Sequence, residues 1–284
     1  MGLFLKYKYF KTLQPFMAVW RRFLVSFMVI LVFVFELSSQ IIYVGGEMSS
    51  SQTWNNENIY IVNQDLIVPT GVVLTINAGV IVRVDYNRGI IIDNGSVRVL
   101  GERGDSVSFI PNHSVPQEVW NWKGMEIKNT SGDNYFRFAK FNGAETAIKL
   151  QDCNNVIVEN SCIIDCQNYG FQFTNSSYCL LDSCEVINNH NGIEMLTGLL
   201  GAVSGNTISN CKITNQNQNI YILGESGGSI KNNNINGNFI GFGNNGIWII
   251  NRGQHLTSGN TIQRNVFVDN GSEVGYGLFL ASDS

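Results

Sequence analysis

Seven positions of this chain share one local setting and differ in their chemistry. In Gly124-Met-Glu-Ile, Ala147-Ile-Lys-Leu, Gly170-Phe-Gln-Phe, Gly192-Ile-Glu-Met, Asn219-Ile-Tyr-Ile, Gly246-Ile-Trp-Ile and Gly277-Leu-Phe-Leu, a small residue is followed by an apolar, a variable and an apolar residue. The variable positions read Glu126, Lys149, Gln172, Glu194, Tyr221, Trp248 and Phe279. Carboxylates and an amide can hydrogen-bond hydroxyl groups, and aromatic rings can stack on the apolar faces of sugar rings. Gln172, Glu194, Tyr221, Trp248 and Phe279 are therefore candidate ligand-binding residues. Glu194, His190 four positions before it, and Lys149 are the candidates for acid or base chemistry. The plainer alternative is that aromatic residues suit strands and that a neighbouring loop, or chain beyond Ser284, covers these three.

Whether these positions ever meet depends on the elements that carry them. The apolar pair of each tetrad has period 2, so the unit is a strand. Successive tetrads start 23, 23, 22, 27, 27 and 31 residues apart, and repeats of this length stack as like units. A second phrase, apolar-x-x-Asn/Cys-x-apolar, runs between the tetrads at Leu181 to Val186, Ile208 to Ile213, Ile230 to Ile235 and Ile262 to Phe267. Short strands joined by Asn and Gly turns, with no helical pattern between them, leave a parallel sheet no cover but itself. The expected fold is all-β: a single-stranded right-handed parallel β-helix, a solenoid of about nine coils. In it the variable residues form an outward column, with Glu126 and Glu194 three turns or about 14 Å apart. That exceeds the carboxylate separations of both retaining and inverting glycosidases, about 5 to 9.5 Å.

Composition narrows the partners. Lys6, Lys8, Lys11, Arg21 and Arg22 precede an apolar run from Phe23 to Phe35, followed by Leu37-Ser38-Ser39-Gln40. A basic region, a short apolar segment and small residues read as a secretory signal over residues 1 to 40, with an uncleaved N-terminal membrane anchor as the alternative. Without those residues the net charge falls from −4 to −8, which argues against nucleic acid as a partner. No basic patch that would suit an acidic polysaccharide is obvious. Six cysteines in an exported chain first suggest disulfides. Cys184 and Cys211 instead share one place in the second phrase, where Asn233 and Asn265 stand later, and Cys162 joins them if one residue bulges. An internal ladder of free thiols is favoured over disulfides, and no Cys-x-x-Cys pair supports a metal site. The many Asn residues are expected to hydrogen-bond along the stack. His113 and His255 are expected in solvated loops, and His190 fits a turn as well as a base.

Residues 41 to 58 are expected as a polar lead-in and 59 to 284 as the solenoid, interrupted by a loop at 111 to 123. The stretch Val68-Pro-Thr-Gly-Val-Val-Leu-Thr-Ile-Asn-Ala-Gly-Val-Ile-Val, then Gly89-Ile-Ile-Ile, Gly95-Ser-Val-Arg-Val-Leu-Gly101, Val107-Ser-Phe109 and Trp122-Lys-Gly-Met-Glu-Ile127, carries a resemblance. It resembles the opening coils of right-handed β-helix proteins on bacterial surfaces, especially from Bacteroidetes. It departs from their pattern at Ala78 and Glu102, both turn positions. The later coils are similar to the generic repeat of the pectate-lyase-like superfamily. That superfamily includes lyases, hydrolases, epimerases, adhesins and stalks, so the resemblance implies fold more than activity. Its lyases hold Ca²⁺ with clustered carboxylates and its hydrolases use adjacent Asp pairs with Gly-His-Gly. This chain has neither an Asp-Asp pair nor Gly-His-Gly, and no catalytic residue carries over. The leading expectation is a secreted or cell-surface module that binds a polysaccharide or other glycan without a cofactor. A polysaccharide lyase or glycosidase, with Ca²⁺ only in the lyase case, and a site-free stalk are the alternatives. Because Gly277-Leu-Phe-Leu280 begins a coil that Ser284 does not complete, the sequence is also expected to be part of a longer protein.

Overall fold

The computed structural model describes residues 39–112, 122–214, 216–225, 228–252, 257–271 and 275–282. The segment read as a signal falls almost wholly outside the described residues, as do His113, His255 and most of the loop at 111 to 123.

Among the described residues there are strands and turns and no helix. Each full coil contributes one strand to each of three faces, in a right-handed parallel solenoid. The first face contains Gly89–Asp93, Gly124–Lys128, Thr146–Gln151, Tyr169–Thr174, Asn191–Thr197, Gln218–Gly224, Asn245–Asn251 and Leu278–Ser282. The second is a nine-stranded sheet from Gln52–Trp54 to Thr261–Gln263. The third runs from Ile81–Val84 to Val266–Val268. The 11-residue strand Asn58–Val68 turns the corner between two faces: Ile59 to Val62 pair with Ile81 to Val84, and Leu66 to Val68 pair with Ile90 to Ile92.

Alternation explains the core. On the first face Met125 and Ile127, Ile148 and Leu150, Phe171 and Phe173, Ile193 and Met195, and Ile220 and Ile222 point inward and are buried. The residue between each pair points out. The earlier coils fill their interior with aromatics: Phe109 lies on Phe141 with ring centroids 4.6 Å apart, and Trp122 is 6.3 Å from Phe141. Trp122, expected in an excursion from the coil, is fully buried and its indole N–H donates to the Asn142 carbonyl at 3.0 Å. The later coils fill theirs with isoleucine, including Ile213, Ile220, Ile230, Ile240 and Ile247.

The lengthening of the repeat from 22 to 27 residues has a single structural cause. Ala202–Ser204, Ser229–Lys231 and Thr257–Ser258 form a fourth, three-stranded sheet between the first and second faces. The later coils are four-sided.

Three sequence expectations need correction. Residues 41 to 58 are not merely a lead-in: Gln40–Glu47 and Gln52–Trp54 pair into the coil, and buried Trp54 stacks on Tyr60 at 4.4 Å. Their polarity reflects the outward half of an alternating pattern. Cys162 does not join the thiol ladder. It lies opposite Glu185 on the third face, pointing outward, and Ser161 takes the corner position instead. That corner stacks Ser161, Cys184, Cys211, Asn238 and Asn265, each of the first four accepting a backbone N–H from the next coil. Asn233 belongs to another corner, with Cys179, Asn206 and Asn260. All six cysteines are free thiols, and five are buried.

At the corner before the third face, Asn160, Ser183, Asn210, Gly237 and Arg264 all adopt positive φ, between 49° and 68°. The tight turn needs this left-handed backbone, and Asn and Gly accept it at least cost.

Candidate functional site

Strand register decides whether the seven variable residues form a surface. On the first face Ile67 pairs with Ile91, Ile91 with Glu126, Glu126 with Lys149 and Lys149 with Gln172. Gln172 then pairs with Glu194, Glu194 with Tyr221, Tyr221 with Trp248 and Trp248 with Phe279. The column is unbroken. Lys149 stands two rungs from Glu194, and Glu126 three, as the repeat spacing requires.

The lower half of the column is polar, and its groups are engaged along the stack. Lys149 Nζ lies 3.1 Å from Glu126 Oε1, and Lys123 Nζ lies 3.0 Å from Asp65 Oδ2. Gln172 Nε2 donates to Glu194 Oε2 at 2.7 Å. Glu194 is only 7% exposed, so its carboxylate depends on such donors. Tyr169 is the other: burial and the adjoining Glu194 carboxylate, which its hydroxyl hydrogen-bonds, push its pKa up to about 12. It is thereby held as a phenol. A cleft of about 360 Å³ opens beside these residues, lined by Lys123, Glu126, Glu145, Lys149, Tyr169 and Gln172 among others.

The upper half is aromatic. Trp248 and Phe279 have ring centroids 4.8 Å apart, and Tyr276 joins them at 6.2 Å from Trp248 and 5.4 Å from Phe279. Trp248 and Phe279 are half-buried and Tyr276 is 50% exposed. The Trp248 indole nitrogen has no hydrogen-bond partner among the described residues. The neighbouring outward column changes in the same direction, from Asp93, Lys128, Gln151 and Thr174 to Leu196, Leu223 and Ile250.

Sequence reasoning missed Tyr169 and Tyr276. Each stands three positions before a column residue, Gln172 and Phe279, and that shared offset was the available signal. His190 lies at an exposed corner before Asn191–Thr197, tied to the stack through its backbone N–H to the Cys166 carbonyl. The structure brings Glu194 together with Gln172 and Tyr169, and Lys149 together with Glu126. The Ca²⁺ that a lyase resemblance implies would need converging carboxylates. Among the described residues no group of three or more His, Cys, Asp or Glu converges, and the residues present do not fit it.

The family model for the right handed beta helix region matches residues 75–198 and again 163–284. No curated protein sequence matches the chain. Among solved structures, the periplasmic alginate epimerase AlgG is similar at 9% identity and a TM-score of 0.25, over 86% of this chain and 77% of that one. The Streptococcus pneumoniae surface protein and adhesin PfbA is 11% identical over 86% of this chain and 91% of its own, with a TM-score of 0.24. The A-module of the Azotobacter vinelandii mannuronan C-5 epimerase AlgE6 is 10% identical over 87% and 91%, with a TM-score of 0.22.

Proposed function

The chain belongs to the right handed beta helix family, and from that premise we propose that it is an exported module whose first face binds carbohydrate. The observation that carries this reading is the unbroken register from Glu126 to Phe279, which turns residues 153 positions apart into one surface. From Gln172 to Phe279 the surface spans four rungs, about 19 Å, room for several sugar units. Its aromatic end offers ring faces for the apolar sides of sugars, and its polar end offers acceptors for hydroxyl groups. The basic and apolar residues of the first 40 positions would deliver the module outside the cytoplasm.

A glycan array probed with the whole chain tests the reading. Binding that is lost in Trp248→Ala and weakened in Gln172→Ala supports it. Binding that survives both substitutions moves the site off this face, and cleavage of a bound polysaccharide would make the protein an enzyme.

A further inference from the structure

We infer that the first face is built for an uncharged glycan and discriminates against polyuronates, an inference that rests on the carbohydrate reading above. Charge is the first ground. The side chains of the cleft and their immediate partners include two lysines, Lys123 and Lys149, and four carboxylates, Asp65, Glu126, Glu145 and Glu194. Both lysines are already within 3.1 Å of a carboxylate oxygen. A uronate entering here would meet a surface of its own sign, with both cations of this set neutralised.

Hydrogen-bond polarity is the second ground. The donors of this region are directed at the protein itself: Gln172 Nε2 and the Tyr169 hydroxyl at Glu194, and Asn168 Nδ2 at Glu145 Oε1, 3.2 Å away. Carboxylate oxygens and the Gln172 carbonyl oxygen provide acceptors. A sugar hydroxyl can donate to them, whereas an ionised carboxylate brings acceptors alone. The upper half leaves this balance unchanged, because Trp248, Phe279 and Tyr276 carry no charge. Around Tyr221 the cation Arg252 is opposed by Glu194 and Glu225.

The test is titration of the whole chain with cellohexaose, mannohexaose and chitohexaose, and with hexagalacturonate and hexamannuronate, at low and high salt. At least one neutral oligomer is expected to bind, and the uronates about tenfold or more weakly. The double substitution Glu126→Gln, Glu145→Gln leaves the lysines in excess among the cleft's own side chains, and uronate binding should rise, most strongly at low salt. Far-UV circular dichroism verifies that the variant is folded. Uronate binding as tight as the best neutral oligomer would overturn this inference and leave the carbohydrate reading standing. Silence toward every probe, with the coil intact, would overturn the carbohydrate reading itself.

Discussion

The coils up to Tyr169–Thr174 and those from Asn191–Thr197 onward build the same first face on different interiors. The earlier coils repeat every 22 or 23 residues, have three sides, and pack Phe109, Trp122, Phe136 and Phe141 inside. The later coils repeat at 27 or more, have a fourth side, and pack isoleucine. Their corners differ as well. Earlier corners use Cys153, Ser161, Cys166, Ser176 and Cys179, small groups that fit beside bulky aromatics. Later ones use Asn206, Asn233, Asn238, Asn260 and Asn265 in ladders of period 27. Asn233 Oδ1 accepts from Asn206 N and Nδ2, both at 3.1 Å, while its own Nδ2 donates to Asn260 Oδ1 at 3.0 Å and to the Val203 carbonyl at 2.9 Å. A four-sided coil has one more corner whose backbone must be satisfied away from water, and a stacked amide supplies donors and an acceptor at once. The lesson is that one outward surface can be kept continuous while the means of holding it changes beneath it.

The sharpest way to break this contrast is in the aromatic interior. Phe141→Ala should cost about 3 to 5 kcal/mol, since the stacked rings around it cannot collapse into the space. Ile220→Val in the later interior should cost about 1 kcal/mol. Urea unfolding with hydrogen exchange would locate each effect, and equal losses would erase the distinction between the two cores.

Next in size is the amide ladder. Asn233→Ala removes two donors and an acceptor at a buried site and should destabilise the later coils by about 2 to 3 kcal/mol. Cys184→Ala at an earlier corner should cost about 1 kcal/mol or less, because a buried thiol acts there mainly as filler. Hydrogen exchange at the amide of Asn206, which donates to Asn233, reads the ladder directly.

Thiol accessibility gives a smaller, non-energetic contrast. Cys166 and Cys179 are buried, and desolvation raises each thiol to about 12; Cys162 is the half-exposed one. Iodoacetamide at pH 8 should label Cys162 first in the native protein, and mass spectrometry after unfolding should find all six labelled. Early labelling of Cys184 or Cys211 would contradict the buried ladder.

The smallest effect belongs to the seam between the regions. Burial by itself would raise the Asp182 carboxyl, but hydrogen bonds from Ser209, Asn210 and Ser183 hold it below its ordinary value. A depressed folded pKa means the contribution is present above the unfolded value, about 3.9, and is lost as pH falls through the folded value. Asp182→Asn should therefore flatten the stability curve on the acid side and leave neutral pH almost unchanged, as followed by thermal melts from pH 7 to pH 2.

The degree to which each feature was legible follows from its period. The tetrads returned once per coil, so their stacking could be counted from spacing. The second phrase misled at Asn233 because two different corners of a four-sided coil both read apolar-x-x-Asn-x-apolar. The longer spacing after Gly192 announced extra residues but not the face they would create. Tyr169 and Tyr276 escaped notice because their offset appears in only two coils.

Sequence by itself determined the coil, its hydrophobic interior and the order of residues along the outward column, because alternation and repeat length act through the backbone and are local. The tertiary structure alone decided which neighbours on that column engage one another. Glu126 with Lys149, Gln172 and Tyr169 with Glu194, and Trp248 with Tyr276 and Phe279 depend on side-chain directions across coils more than 20 residues apart. No local pattern encodes those directions, since they are set by how each side chain fills the space its neighbours leave.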